Sequence, residues 1–261
     1  MPIFNAFEVT RNAINNLTEH NKEDDVLLID DASTDSRVKE LFIDLPDSWQ
    51  VIENKKNLGF VKTANIGLKI NRFKHTLLLN SDTLVTTNWL ERFEQVICSV
   101  KELGTATPWS NNAEICSFPD TLVNNAIPKD INELAIELQN YHSPIYPELP
   151  TAVGFCMLIS KRAKEKVGVF DEDTFGLGYG EENDYSLRVS SNGLKNVLVD
   201  NCYVAHIGNQ SFKEKALQPD QSTMNRLLEK HPYYQEQIKK FIENDPLAEL
   251  RQSIIAKITA F

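Results

Sequence analysis

Three acidic stretches of this sequence could carry chemistry. "LLIDDASTD" holds Asp30 and Asp31, "LLLNSDTLV" holds Asp82, and "FGLGYGEENDYSLRV" holds Glu181, Glu182 and Asp184, followed by Arg188. Carboxylates gathered in one cleft repel each other unless a cation or hydrogen-bond donors hold them. One or two carboxylates together with substrate phosphates form the usual holding set for Mg2+ or Mn2+. A carboxylate that stays ionised beside an acceptor hydroxyl is a general base. His206, in "AHIGNQS", adds an imidazole that completes a metal site when neutral. "KKNLGFVKTANIG" adds Lys56, Asn57 and Lys62 around a glycine-entered helix start, which could hold an anionic ligand or orient a ribose. Each signal also has a plainer reading. Strand-end aspartates commonly cap helices or shape turns, and acids in a first helical turn complement the helix dipole. A lone histidine is more often structural. The weight comes from two strands delivering acids to the same sheet edge.

The elements that would position these groups follow from apolar patterning. "VLLID" (26–30), "WQVIEN" (49–54), "HTLLLNSD" (75–82), "TATPWSNN" (105–112), "TAVGFCMLIS" (151–160) and "NVLVDNCYVAHIG" (196–208) read as strands or strands running into loops. Helices are predicted over about 5–19, 58–70 and 88–100, and one near 130–140 lies inside a proline-containing stretch (113–150). Strands alternating with helices predict an open α/β sheet, whose ligands bind beyond the carboxyl ends of the strands. Only "MPIF" precedes the first helix, so the first strand is either very short or lacks upstream residues. Near the C-terminus, Asp245–Pro246 reads as a cap and first turn. Leu247, Leu250, Ile254, Ile255 and Ile258 then mark one face of a final helix. That face is expected to pack on its own domain, with a partner subunit (a homodimer) or a membrane surface as the alternative.

Composition narrows the function classes. A net charge of −10 over 261 residues argues against a broad grip on nucleic acid or anionic lipid, but leaves room for one phosphorylated ligand. Cys98, Cys116, Cys156 and Cys202 lie far apart with no CxxC pair, as expected for reduced thiols in a cytoplasmic protein. No apolar run approaches the roughly 18 residues that span a bilayer, and no signal peptide is recognised. There is no GxGxxG for a dinucleotide dehydrogenase, and "PIFNAFEV" is not the glycine-rich basic loop of a nucleotidyltransferase.

In order, "PIFNA", "LLIDDASTD", "NKKNLGFVKTANIGL", "LLLNSDTLV", "GFCMLISKRA", "FGLGYGEENDYSLRV" and "AHIGNQS" closely resemble the family-2 inverting glycosyltransferases of the GT-A fold. The nearest-looking branch is the rhamnosyltransferase-like group of bacterial polysaccharide synthesis. The resemblance covers about residues 2–212. It implies a single Rossmann-like α/β domain over 1–212 with a mixed, mostly parallel central sheet flanked by helices, and a helical extension over 213–261 packed on it. It further implies that Pro2, Asn5, Asp31, Asn57, Lys62 and Ser81 line the donor-nucleotide pocket, Asp31 contacting the base. Asp82 matches the last position of the DxD motif and, with His206, would hold Mn2+ or Mg2+; Asn80 departs from the motif's first aspartate. Gly154 and Phe155 match the segment beneath the acceptor. Glu182 takes the place of the catalytic base, a glutamate where the family's "ED" pair has aspartate. Glu181, Asp184 and Arg188 would support it. His206 sits in an element one residue tighter before its glycine than the family's pattern. The implied reaction moves a hexose or deoxyhexose from a UDP- or dTDP-sugar to a hydroxyl of a glycan or lipid-linked acceptor, in the cytoplasm or peripherally at the membrane's inner face. The alternative is a non-catalytic nucleotide-sugar-binding subunit of an assembly complex.

Overall fold

The computed structural model describes residues 1–71, 74–141, 143–176, 178–208 and 221–258. The first strand, β1 (Pro2–Ile3), is only two residues long and runs into α1 (Phe7–Asn21). β2 (Leu27–Asp30), α2 (Arg37–Glu40), β3 (Gln50–Glu53) and α3 (Phe60–Ile70) follow. Next come β4 (Thr76–Leu79), β5 (Thr83–Leu84), α4 (Trp89–Ser99) and β6 (Leu103–Trp109). The stretch with few sequence signals contains a 3-10 turn (Glu114–Cys116), α5 (Ile131–Tyr141) and β7 (Glu148–Leu149). β8 (Cys156–Ile159), α6 (Lys161–Val167), α7 (Glu172–Phe175), α8 (Glu181–Ser191), β9 (Lys195–Tyr203) and β10 (Ala205–His206) complete the α/β part. Three helices close the described chain: α9 (Gln221–Lys230), α10 (Tyr234–Asn244) and α11 (Ala248–Ile255).

The strands form three sheets. β1, β2 and β3 pair in parallel, with Ile3 opposite Asp30 and Asp30 opposite Glu53. A five-stranded sheet has the order β4-β8-β6-β9-β7. β10 pairs antiparallel with β5 and sets His206 opposite Thr83. The expected mixed sheet with flanking helices and a helical C-terminal region is present. The expectation of mostly parallel pairing holds for β1–β2–β3 but not for the five-stranded sheet, where only β6–β9 is parallel. Strands buried on both faces read as continuous apolar runs whichever way their neighbours point. The proposed boundary at 212/213 and the residues Asn209–Ser211 of "AHIGNQS" lie outside the described residues.

Two apolar clusters hold these layers. One centres on β2, β6 and β9, where Trp109, Tyr203, Phe93 and Phe118 are fully buried. The other joins Val61 of α3, Met157 of β8, Tyr185 and Val189 of α8, and Leu227 of α9. Burying side chains of this size contributes about 1.5–3 kcal/mol each. α8 lies so close to β6 that a Cβ on Gly104 would meet Val189 Cγ1 at 2.2 Å, so only glycine permits that approach. In the C-terminal region Leu247 and Ile254 join the first cluster, and Ile255 is exposed. Asp245 does not cap the last helix. It ends α10 in a left-handed conformation (φ 35°), and its carboxylate pairs with Arg251 across the turn. Among the described residues no helix is long and apolar enough to cross a membrane.

Candidate functional site

The strand ends supply one edge of the site. Both oxygens of Asp31 are held: Oδ1 accepts the Leu58 amide (2.7 Å) and the Asn54 side chain (2.9 Å), and Oδ2 accepts the Gly59 amide (2.8 Å). The aspartate thereby fixes the loop into α3, whose entry residue Gly59 has φ 86°. Asn57 donates its amide to the Asp31 carbonyl (3.2 Å). Asp30 accepts the Ser33 amide and hydroxyl. Asn5 bonds the turn after β2, accepting the amides of Thr34 (2.8 Å) and Asp35 (3.1 Å). The resulting edge is polar, with its hydrogen bonds made within the protein.

At the end of β4 the hydrogen bonding is less complete. Asp82 is buried, and its Oδ1 lies 3.4 Å from His206 Nε2. His206 Nδ1 lies 2.8 Å from the Asn112 carbonyl, so Nδ1 carries the hydrogen and Nε2 faces the carboxylate. Burial opposes charge on His206, but the hydrogen bond and charge of Asp82, aided by the Asn112 carbonyl, outweigh it and hold the imidazole above its ordinary value. With Nδ1 locked on a carbonyl, Nε2 shares the Asp82 carboxylate through its proton, and a divalent ion that took the place of that proton would find the arrangement of a metal-binding histidine. Nearby, Asn80 Oδ1 is buried with no hydrogen-bond partner. Among the described residues no group of three or more His, Cys, Asp or Glu forms a protein-only metal cage. Asp82 and His206 therefore fit a cation that takes its other ligands from substrate and water.

β8 connects this edge to the acids of α8. The Phe155 ring stacks on His206 with centroids 5.1 Å apart, and the Phe155 carbonyl accepts the Asn80 amide. The preceding residue, Gly154, lies against Glu182: a Cβ placed there would meet Glu182 Cβ at 3.7 Å. α8 starts at Gly180 (φ 89°), whose missing side chain lets the Phe175 ring approach to 3.1 Å of the ideal Cβ position. Glu181 is 5% exposed, and one oxygen of each carboxyl, Glu181 Oε2 and Glu182 Oε2, is buried with no hydrogen-bond partner. Burial raises both carboxyls, and the neighbouring Glu182 charge raises Glu181 further, well above the usual range. A hydrogen bond between them favours charge on Glu182, so Glu181 keeps the proton and donates it to Glu182.

Asp184 and Arg188 stand behind these acids. Asp184 is fully buried and accepts from Arg188 (2.8 Å), Lys230 (2.8 Å) and His231 (2.9 Å). Arg188 also donates to the carbonyls of Val167 and Val169. α8 is thus tied to the segment after α6 and to the end of α9.

A single cavity of about 500 Å³ gathers Pro2, Asp31, Ser81, Asp82, Gly154, Phe155, Glu181, Glu182 and His206. Asn5, Asn57, Asp184 and Arg188 are not part of its lining, and Lys62 is exposed on α3. Sequence reading missed Glu114 and the wall built by α9 and α10, which includes Met224, Leu227, Tyr234, Ile238 and Ile242. Tyr234 is pushed up to about 12, by burial first and then by the charges of Glu182 and Glu114. The apolar stripes of these helices were visible in the sequence, but a stripe does not say which cavity it covers.

Residues 1–168 match the family described as Glycosyl transferase family 2. An uncharacterized glycosyltransferase of Haemophilus influenzae (strain ATCC 51907 / DSM 11121 / KW20 / Rd) is 28% identical over 92 residues, 34% of this chain and 28% of that protein. GalNAc-T7, solved with UDP, GalNAc and Mn2+, superposes with a TM-score of 0.62 at 14% identity, over 93% of this chain and 56% of that one. The mannosyltransferase PcManGT from Pyrobaculum calidifontis, solved with GDP-Man and Mn2+, gives 0.57 at 14% identity, over 98% and 72%. S. aureus TarS gives 0.52 at 17% identity, over 82% and 37%. At these identities the likeness to the solved structures is one of fold. The chain thus spans little more than half of GalNAc-T7, and its match a smaller part of the Haemophilus protein.

Proposed function

Taking as premise that the chain belongs to glycosyl transferase family 2 and has the GT-A fold, we propose that it transfers a sugar from a nucleoside-diphosphate donor to an acceptor hydroxyl, with inversion at the anomeric carbon. The observation that carries this reading is the Gly154–Phe155 step, which has the candidate base on one residue and the candidate metal ligand on the next. In the proposed reaction Glu182 takes the proton of the acceptor hydroxyl as its oxygen bonds to the anomeric carbon. The bond from that carbon to the phosphate oxygen breaks, and the diphosphate departs with the electron pair. Glu181, holding its own proton, hydrogen-bonds Glu182 and favours its ionised form. Asp31 keeps the loop into α3 in place beside the nucleotide, while Pro2 and Ser81 line the same pocket.

Asp82 and His206 would hold Mn2+ or Mg2+, with the Asn80 amide oxygen available to the same ligand shell or its waters. Such an ion supplies charge neutralisation for the departing diphosphate. The charge of the cavity supports this assignment. Its lining carries Asp31, Asp82, Glu114, Glu181 and Glu182 but, among the described residues, no lysine or arginine. A diphosphate entering it meets like charge unless a cation accompanies it. The solved neighbours with UDP or GDP-Man and Mn2+ support a nucleotide-sugar donor and a divalent ion. Rhamnosyl, other deoxyhexosyl and hexosyl transfer, with a glycan or lipid-linked acceptor in polysaccharide synthesis, are the specific forms of the proposal.

A melting-temperature screen of UDP-, dTDP- and GDP-sugars with Mn2+, with Mg2+ and with chelator tests it. One nucleotide class is expected to stabilise the protein in proportion to ln(1 + [L]/Kd), and only when metal is present. Stabilisation by none of them, or equal stabilisation in chelator, overturns the proposal.

A further inference from the structure

The cavity extends past Glu182 along a wall that neither the base nor the metal ligands use. Leu227 of α9 is fully buried there, while Met224, Ile242 and Leu122 on the same cavity are 39%, 38% and 44% exposed. Ile238 joins them. Large apolar side chains left open beside a polar site mark a surface that a ligand covers. The acidic groups sharing this part of the lining are Glu114, Glu182 and the protonated Glu181, and among the described residues no lysine or arginine offsets them. A phosphate or carboxylate lying here would meet like charge, whereas a hydrocarbon would meet no charge penalty of its own.

We infer that the acceptor lays an uncharged hydrocarbon body along the α9–α10 wall with its reactive hydroxyl towards Glu182, and that Met224, Ile238 and Ile242 set this preference. The inference rests on the proposed transfer reaction and specifies its acceptor. Remote apolar contact of this kind supplies binding energy that orients the hydroxyl.

Calorimetric titration of the full chain, loaded with Mn2+ and a nucleoside diphosphate, with butan-1-ol, hexan-1-ol and octan-1-ol tests it. These probes carry only a hydroxyl and a chain. Each buried methylene tightens binding by up to about fourfold, so octan-1-ol is expected to bind about tenfold or more tightly than butan-1-ol. Octyl phosphate is expected to bind more weakly than octan-1-ol. An Ile238→Ser, Ile242→Ser double variant, altering two side chains that are not core, is expected to remove most of the chain-length gain. A flat series in the wild type overturns the inference, as do tighter binding of octyl phosphate and an undiminished gain in a folded double variant. Pelleting with phosphatidylcholine vesicles, abolished by the double variant while the alcohol series is unchanged, also overturns it by making the wall a membrane contact. Nucleotide binding is read in the loading step, so failure there counts against the transfer reaction and not against the wall.

Discussion

At the ends of β1 and β2, the polar side chains that stand out in the sequence have partners within the protein. Asn5 holds the amides of Thr34 and Asp35, Asp30 holds Ser33, and Asp31 holds Leu58, Gly59 and Asn54. At the end of β4 and the start of α8 the situation reverses: Asn80 Oδ1, Glu181 Oε2 and Glu182 Oε2 are buried without a partner. A buried polar atom left unsatisfied costs about 1–3 kcal/mol, so a folded chain rarely keeps several together unless something else completes them. The first region behaves as frame and the second as working surface. Substitutions should therefore separate the two, the frame losing stability and the working surface losing activity.

The largest expected effect is on the working side. Glu182→Gln should lower transfer by about 10²–10⁴-fold, the usual contribution of a general base. Nucleotide affinity should stay near wild type. Initial rates and calorimetry check this, and wild-type turnover would move Glu182 to the frame. Asp184, in the first turn of α8 but fully bonded within the protein, should behave as frame. Asp184→Ala strands Arg188, Lys230 and His231 around a buried site, and denaturant unfolding should show a loss of about 3–5 kcal/mol. Asp31→Asn should lose about 1–3 kcal/mol, because one of its accepting oxygens becomes a donor facing an amide.

Glu181→Gln gives the smallest and most discriminating effect. Burial lifts the Glu181 carboxyl well above 4.5, so the folded state keeps a proton that the unfolded chain releases. By linkage the wild type loses stability as pH rises from that ordinary value through the raised one. Glutamine still donates to Glu182 but has no proton to lose. Urea midpoints at pH 5 and pH 8 should therefore fall more for the wild type than for the variant. An equal fall in both would remove Glu181 from the working surface.

Much of this division was legible in the sequence. The strand-end acids, the glycine-entered α3 and the Glu181–Glu182 pair were all visible as local patterns. Which acids are satisfied was not legible, because the partners of Asp31 lie 23–28 residues away and those of Asp184 reach Lys230 and His231. Strand direction in the five-stranded sheet was hidden for a related reason: "FCMLIS" is buried on both faces and reads the same in either sense. Lys62 looked like an anion-holding group from its place after Gly59, yet one turn of helical phase leaves it exposed. The cavity wall of α9 and α10 depends on how a distant segment folds back, which no short window encodes.

The pairing of Gly154 with Glu182 and of Phe155 with His206 has a mechanical consequence. Consecutive Cα atoms across a trans peptide are about 3.8 Å apart, a length fixed by covalent bonds. The contacts that seat the candidate base and the candidate metal ligand are therefore made by residues one peptide apart. A one-residue slip of β8 would carry both contacts away together, so the two halves of the proposed chemistry should be gained or lost as a unit.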